Sequence, residues 1–199
     1  MRAEAECFAD PAPSEPCRVD KVVIGLNLCP WAKPAVADNL VNVRVSAAAN
    51  VDELLDSVRA ELERLAPPTC RETTIIVSES LLLDFEEYMD AVDRVHDIIS
   101  DLSLQGVLQL ATFHPQYQFA GTRREDPENW TNRSPFPAFH ILQEDEVERA
   151  LADYTEPKQV WERNIKRMDE LGADAMEGLV RACRVRREGG AGESESRES

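Results

Sequence analysis

The sequence predicts an α/β fold: a single-domain sandwich of about four strands, with helices packed on the sheet and a long ordered loop between the last two strands. Three observations carry that prediction. Short β-branched runs alternate with stretches whose apolar residues recur at helical spacing, which is the order of successive strand-helix-strand units. The chain has 199 residues, 43% hydrophobic and 30% charged, the size and composition of one domain with its own core. Between two apolar runs, Val107 to Phe113 and Ala138 to Leu142, lies a segment too long and too aromatic for an ordinary connection.

The elements follow in order. Residues 1–16 mix Ala, Pro, Glu and Ser with little to bury and read as a flexible arm. Val19, Val22, Val23 and Leu26 mark one apolar helical face, and Pro30 then Pro34 end that helix near Leu28, leaving Cys29 at its exit. Val41, Val43 and Val45 alternate with polar residues as in a half-buried strand. Asn50 and Glu53 form a capping box for a helix that Pro67 and Pro68 stop. Thr73 to Val77 is a β-branched run suited to an interior strand. Asp84 and Glu87 repeat the capping pattern and open a helix with Phe85, Met89, Val92, Val95 and Ile99 on its buried face.

A third strand follows Gly106, and the fourth places Phe139 and Ile141 on one face, His140 and Leu142 on the other. Val147, Ala150, Leu151 and Tyr154 mark a short helix. Thr155 caps another, with Trp161, Ile165 and Met168 on one face. Two right-handed crossovers favour parallel pairing, and the last strand is open to an antiparallel place. The globular domain spans 17–186, and residues 187–199 form a disordered acidic tail.

Composition also excludes functions. With 22 basic and 38 acidic residues, the formal charge of −16 repels phosphate backbones and anionic lipid, so no nucleic acid or membrane partner is expected. An anionic ligand would need a local basic pocket. Five scattered cysteines without a CxxC or framework spacing indicate reduced thiols in a cytoplasmic protein. There is no GxGxxG, P-loop, GxSxG elbow or HExxH helix. No cofactor and no oligomeric state can be named from the sequence.

The candidate site is the long loop and its neighbours. His114 ends a strand, where α/β sheets place ligand groups, and is a candidate acid or base. Cys29 is a candidate nucleophile, although a helix C-terminus disfavours the thiolate. His140, on the neighbouring strand, is a further candidate catalytic residue. These three residues have the right chemistry for a zinc site but none of the usual ligand spacing, so no metal is assigned. Arg133, flanked by Asn132 and Ser134, is equipped to hold an anionic group, with Asn132, Gln116, Tyr117 and Trp130 as further binding residues. Arg123 and Arg124 alternate with acidic residues and read as solvated surface. The expected function is a small-molecule enzyme or ligand-binding protein, its pocket formed by the Cys29 turn, the His114 strand end and the Asn129–Ser134 loop. The alternative is an interaction module that docks a protein partner through exposed Trp130, Phe136 and Tyr117.

Three stretches also carry a family resemblance: Gly25-Leu26-Asn27-Leu28-Cys29-Pro30-Trp31-Ala32, Ala111-Thr112-Phe113-His114-Pro115-Gln116-Tyr117-Gln118-Phe119-Ala120, and Thr131-Asn132-Arg133-Ser134-Pro135-Phe136-Pro137. Together they resemble the family catalogued as domain of unknown function 1415, from about Val19 to about Leu171, with Trp31 where Phe is more usual. The resemblance implies a relative but no activity.

Overall fold

A computed structural model of the protein describes residues 8–9, 14–152 and 157–184. Strands β1 (Phe8–Ala9), β2 (Val41–Ser46), β3 (Thr73–Val77), β4 (Leu108–Phe113) and β5 (Ala138–Gln143) form one sheet in the order β1-β2-β3-β5-β4. Four of them have five or six residues, and β1 is a two-residue pairing on the edge of β2, with Phe8 opposite Ser46. Residues 1–16 were expected to form a flexible arm, and where described they supply β1 and the first turn of a helix. Residues 1–7, 10–13 and the expected tail at 187–199 lie outside the described residues.

The sheet is mixed. β2 and β3 pair in parallel, while β5 runs antiparallel to both β3 and β4. Thus β3 and β4 point the same way, as a crossover requires, but the last strand returns between them. Helices α3 (Val51–Leu65) and α4 (Phe85–Asp101) supply the crossovers. The capping signals act as the sequence indicates: the Asn50 side chain accepts from the Glu53 N–H at 3.0 Å, and Asp84 accepts from the Glu86 and Glu87 N–H groups at 2.9 and 3.1 Å.

One face of the sheet packs on α3 and α4 through Ile76, Phe139, Ile141, Leu54, Leu62, Val92 and Val95. Tyr88, fully buried on α4, donates to the Ala138 carbonyl at 2.8 Å and accepts from the Phe113 N–H at 3.1 Å, tying α4 to the ends of β4 and β5. The opposite face buries Val45, Ile75, Val77 and Ala138 against Val19 and Phe136. Among the described residues no helix is long and apolar enough to cross a membrane.

The N-terminal helix differs from expectation. Helix α1 (Ser14–Arg18) runs into a π-helical turn, Val19–Ile24, and the N–H groups of Gly25 and Leu28 reach back five residues to Asp20 and Val23 at 2.9 and 2.8 Å. The Lys21 carbonyl lies so close to the Gly25 α-carbon that any side chain there would collide with it. The wider turn changes the phase of the apolar residues, so Val19 and Val22 are buried while Val23 and Leu26 are half-buried. Pro34 does not stop the chain. It sits in the first turn of a further helix, α2 (Ala32–Ala37), where no hydrogen bond is lost.

At the C-terminal end, α5 (Glu144–Ala152), α6 (Pro157–Leu171) and α7 (Ala173–Ala182) follow β5. Met168 and Met176 join Val22, Leu28 and Trp130 in a third apolar cluster, so α6 and α7 cover the loop and not the sheet. Of the expected α6 face, Met168 is buried and Ile165 half-buried, but Trp161 is 56% exposed. Thr155 and Tyr154 lie outside the described residues.

Candidate functional site

The loop between β4 and β5 is ordered by its own polar side chains. Fully buried Asn129 accepts from the Phe119 N–H at 2.9 Å and the Thr122 hydroxyl at 3.0 Å, and donates to the Arg123 carbonyl at 2.7 Å. A 3-10 turn, Pro127–Thr131, carries Asn129 and Trp130. Asn132 donates to the Thr112 carbonyl at 2.9 Å and returns its own carbonyl to the His114 N–H at 3.2 Å, closing the loop onto the end of β4.

The candidate catalytic residues do not meet. His114 is fully buried on the α4 side, between the rings of Phe85 and Tyr88 at 5.2 and 5.1 Å. Its Nδ1 accepts from the Gln116 N–H at 3.0 Å, which leaves the proton on Nε2 to donate to the Leu82 carbonyl at 3.1 Å. Desolvation lowers its pKa, so it is a neutral tie between loop and helix. His140 points from the other face. Thr73 donates its hydroxyl to the Ile141 carbonyl at 2.5 Å and therefore accepts from His140 Nε2 at 2.7 Å. Alternation along β4 and β5, with Ala111 opposite His140, puts the two imidazoles on opposite sides of the sheet.

Cys29 is separate again. Its carbonyl accepts from the Ala32 N–H at 3.1 Å and the Trp31 and Ala32 N–H groups lie near enough to its sulfur to favour the thiolate, so it leads into α2 as well as leaving the π-turn. Burial is the larger effect and raises its pKa, holding the thiol protonated. No group of three or more His, Cys, Asp or Glu side chains among the described residues is arranged to hold a metal ion.

A cavity of about 320 Å³ opens instead between the loop and α7. Three of the expected binding residues line it, namely Gln116, Trp130 and Arg133. Two others serve the scaffold: Asn132 holds the loop to β4, and Tyr117 packs on Phe85 and Phe119 at 5.6 and 4.9 Å. The rest of the wall comes from Arg124 on the loop, from Glu177, Val180 and Arg181 on α7, and from Arg184 just beyond it. Arg124 is exposed, as its mixed-charge turn indicates, and also borders the cavity, whereas no role was expected for the α7 residues. The one signal for the latter is the basic run Arg181, Arg184, Arg186 and Arg187 in a strongly acidic chain.

Arg133 is the centre of this cavity's chemistry. It is 7% exposed, and its guanidinium stacks 4.3 Å from the Trp130 ring centroid. Nε donates to the Tyr117 carbonyl at 3.3 Å and Nη2 to the Arg124 carbonyl at 2.6 Å. No carboxylate pairs with it among the described residues, and burial together with the Arg124 charge lowers its pKa. The indole Nε1 of Trp130 is also buried without a hydrogen-bond partner.

The sequence matches the family described as "Protein of unknown function (DUF1415)" over residues 17–178. The chain belongs to this family. The matched span covers β2 to β5, the loop and the first part of α7, including Arg124, Arg133 and Glu177 from the cavity. Among curated proteins nothing matches the chain, and among solved structures nothing matches it. Trp130 and Phe136 are buried and Tyr117 is half-buried, so none of the three rings is an exposed anchor for a docked partner.

Proposed function

We propose that the protein binds a small anionic molecule in the cavity between the loop and α7. The observation that carries this reading is Arg133, a buried guanidinium that touches no carboxylate among the described residues. A buried charge is costly unless it is paired, and an anion entering the cavity would pair it. Four arginines and one glutamate line the space, in a chain whose overall charge is −16. That local reversal of sign supports a built anion site over a chance patch. The volume lies at the lower end of the roughly 300 to 1,000 Å³ usual for small-molecule pockets. Cys17, Cys29 and Cys70 are free thiols, which supports a reducing, cytosolic setting for that ligand.

A thermal-shift screen of anionic and neutral metabolites tests the reading, because a ligand that binds only the native state raises its apparent stability. Some anions stabilise proteins without a site, so the control is an Arg124→Ala/Arg184→Ala double variant. Anions that raise the melting temperature of the wild type, but not of the double variant, uphold the site. Equal shifts in both proteins across the panel would overturn it.

A further inference from the structure

We infer that the ligand's anionic group is a phosphate carrying close to two negative charges, free or as an ester, and not a lone carboxylate. This inference rests on the anion-binding reading and gives it a chemical class. Glu177 accepts from Arg181 Nη2 at 2.6 Å, so that arginine already has its counter-charge. Arg124, Arg133 and Arg184 line the same cavity with no carboxylate partner among the described residues. A monocarboxylate would balance one of these cations and leave the charge of the other two uncompensated. A doubly charged group of the same small size balances most of the excess.

Geometry selects between anions of equal charge. The Tyr117 and Arg124 carbonyls occupy the Nε and Nη2 side of Arg133, so the edge carrying Nη1 is the one left for a ligand. Stacking on Trp130 at 4.3 Å fixes the plane of that edge. Arg124 approaches from the loop and Arg184 from beyond α7, so the donors surround the ligand from more than one side. A carboxylate offers two oxygens in one plane and suits a single guanidinium fork. A phosphate offers terminal oxygens in a tetrahedron, which several guanidiniums can share. Pro115, Pro135 and Val180 supply apolar wall for the uncharged remainder of an ester.

Calorimetric titration of the full chain at fixed ionic strength, near about pH 8 where phosphates are close to doubly charged, tests this with four probes. They are orthophosphate, glycerol 3-phosphate, succinate as a dianion without phosphate geometry, and acetate. The expected result is that at least one phosphate binds about tenfold or more tighter than succinate, the equivalent of one further charge-assisted hydrogen bond, with acetate weakest. A tighter glycerol 3-phosphate marks an ester as the ligand, and a tighter orthophosphate marks the free ion; either upholds the phosphate. Arg184→Glu should weaken the phosphate about tenfold or more. Arg123→Glu makes the same charge change at a residue outside the cavity that pairs with Asp126, and should leave affinity within about threefold. Succinate binding as tightly as the phosphates, and equally sensitive to Arg184→Glu, would overturn the phosphate while leaving the anion site standing. Absence of binding by all four, or equal losses in the two variants, would overturn both.

Discussion

Replacing Trp130 by alanine tests whether the loop is a packed part of the fold. The ring is 8% exposed and packs with Val22, Leu28, Met168 and Met176, so it removes on the order of 200 Å² from water. At about 25 cal/mol per Å² this amounts to about 5 kcal/mol, of which a compact denatured state already retains roughly a quarter. The Arg133 guanidinium stacked on the ring adds about 1 kcal/mol, and the buried indole N–H without an acceptor subtracts a similar amount. Trp130→Ala is therefore expected to cost about 3 to 5 kcal/mol. For a chain of this length that lowers the melting temperature by about 10 °C. Urea titration followed by far-ultraviolet circular dichroism reads the loss directly, with an unchanged m-value showing that both proteins unfold the same surface. A loss under about 1 kcal/mol would refute the packing argument and make the 3-10 turn an independent surface feature.

Acid should destabilise the fold through His140, whose pKa is pushed down to about 3 by burial and then by the Arg18 charge, against about 6.5 in the unfolded chain. Because the unfolded state takes up the proton first, stability is complete above about pH 6.5 and falls toward pH 3, by at most about 1.4 kcal/mol per pH unit. His114 is shifted the same way, so a His140→Gln variant should keep part of the slope; equal slopes in wild type and variant would sink the assignment. Glu61, 4% exposed on α3, accepts through one oxygen from Thr74 Oγ1 at 2.6 Å and from Arg64 Nη2 at 2.7 Å. Glu61→Ala should cost about 3 to 5 kcal/mol in a denaturant melt, and Glu61→Leu/Arg64→Leu distinctly less; a double variant as unstable as the single one would contradict this.

The elements that were legible in the sequence are those fixed by local physics. The valines of β2, the Asn50 cap of α3 and the Asp84 cap of α4 each state their role within a few residues. The place of β5 between β3 and β4 is set by pairing across the chain, which no local pattern encodes. The same non-local register decides the histidines. His114 and His140 look alike as candidates on neighbouring strands until Ala111 is set opposite His140, and then they part to opposite faces. Half of the cavity was visible as a loop with Arg133 at its centre. Its other half arrives from α7, some tens of residues further on, through packing of Met168 and Met176 under Trp130 that periodicity alone does not reveal.

The return of β5 between two strands that precede it has a consequence for how the protein is made. As the chain leaves the ribosome, β2, β3 and β4 emerge with both crossover helices, yet the facing edges of β3 and β4 have no partner until Ala138–Gln143 appears. For that interval the nascent domain carries two open β-edges, one of them the fully buried run Thr73–Val77. The loop must also be synthesised in full before the edges can close, so its internal order shortens the search of β5 for its slot. Slow translation or truncation within residues 114–137 would hold the chain in its most aggregation-prone form, and changes that loosen Asn129 would reach yield and solubility before they reach the finished fold.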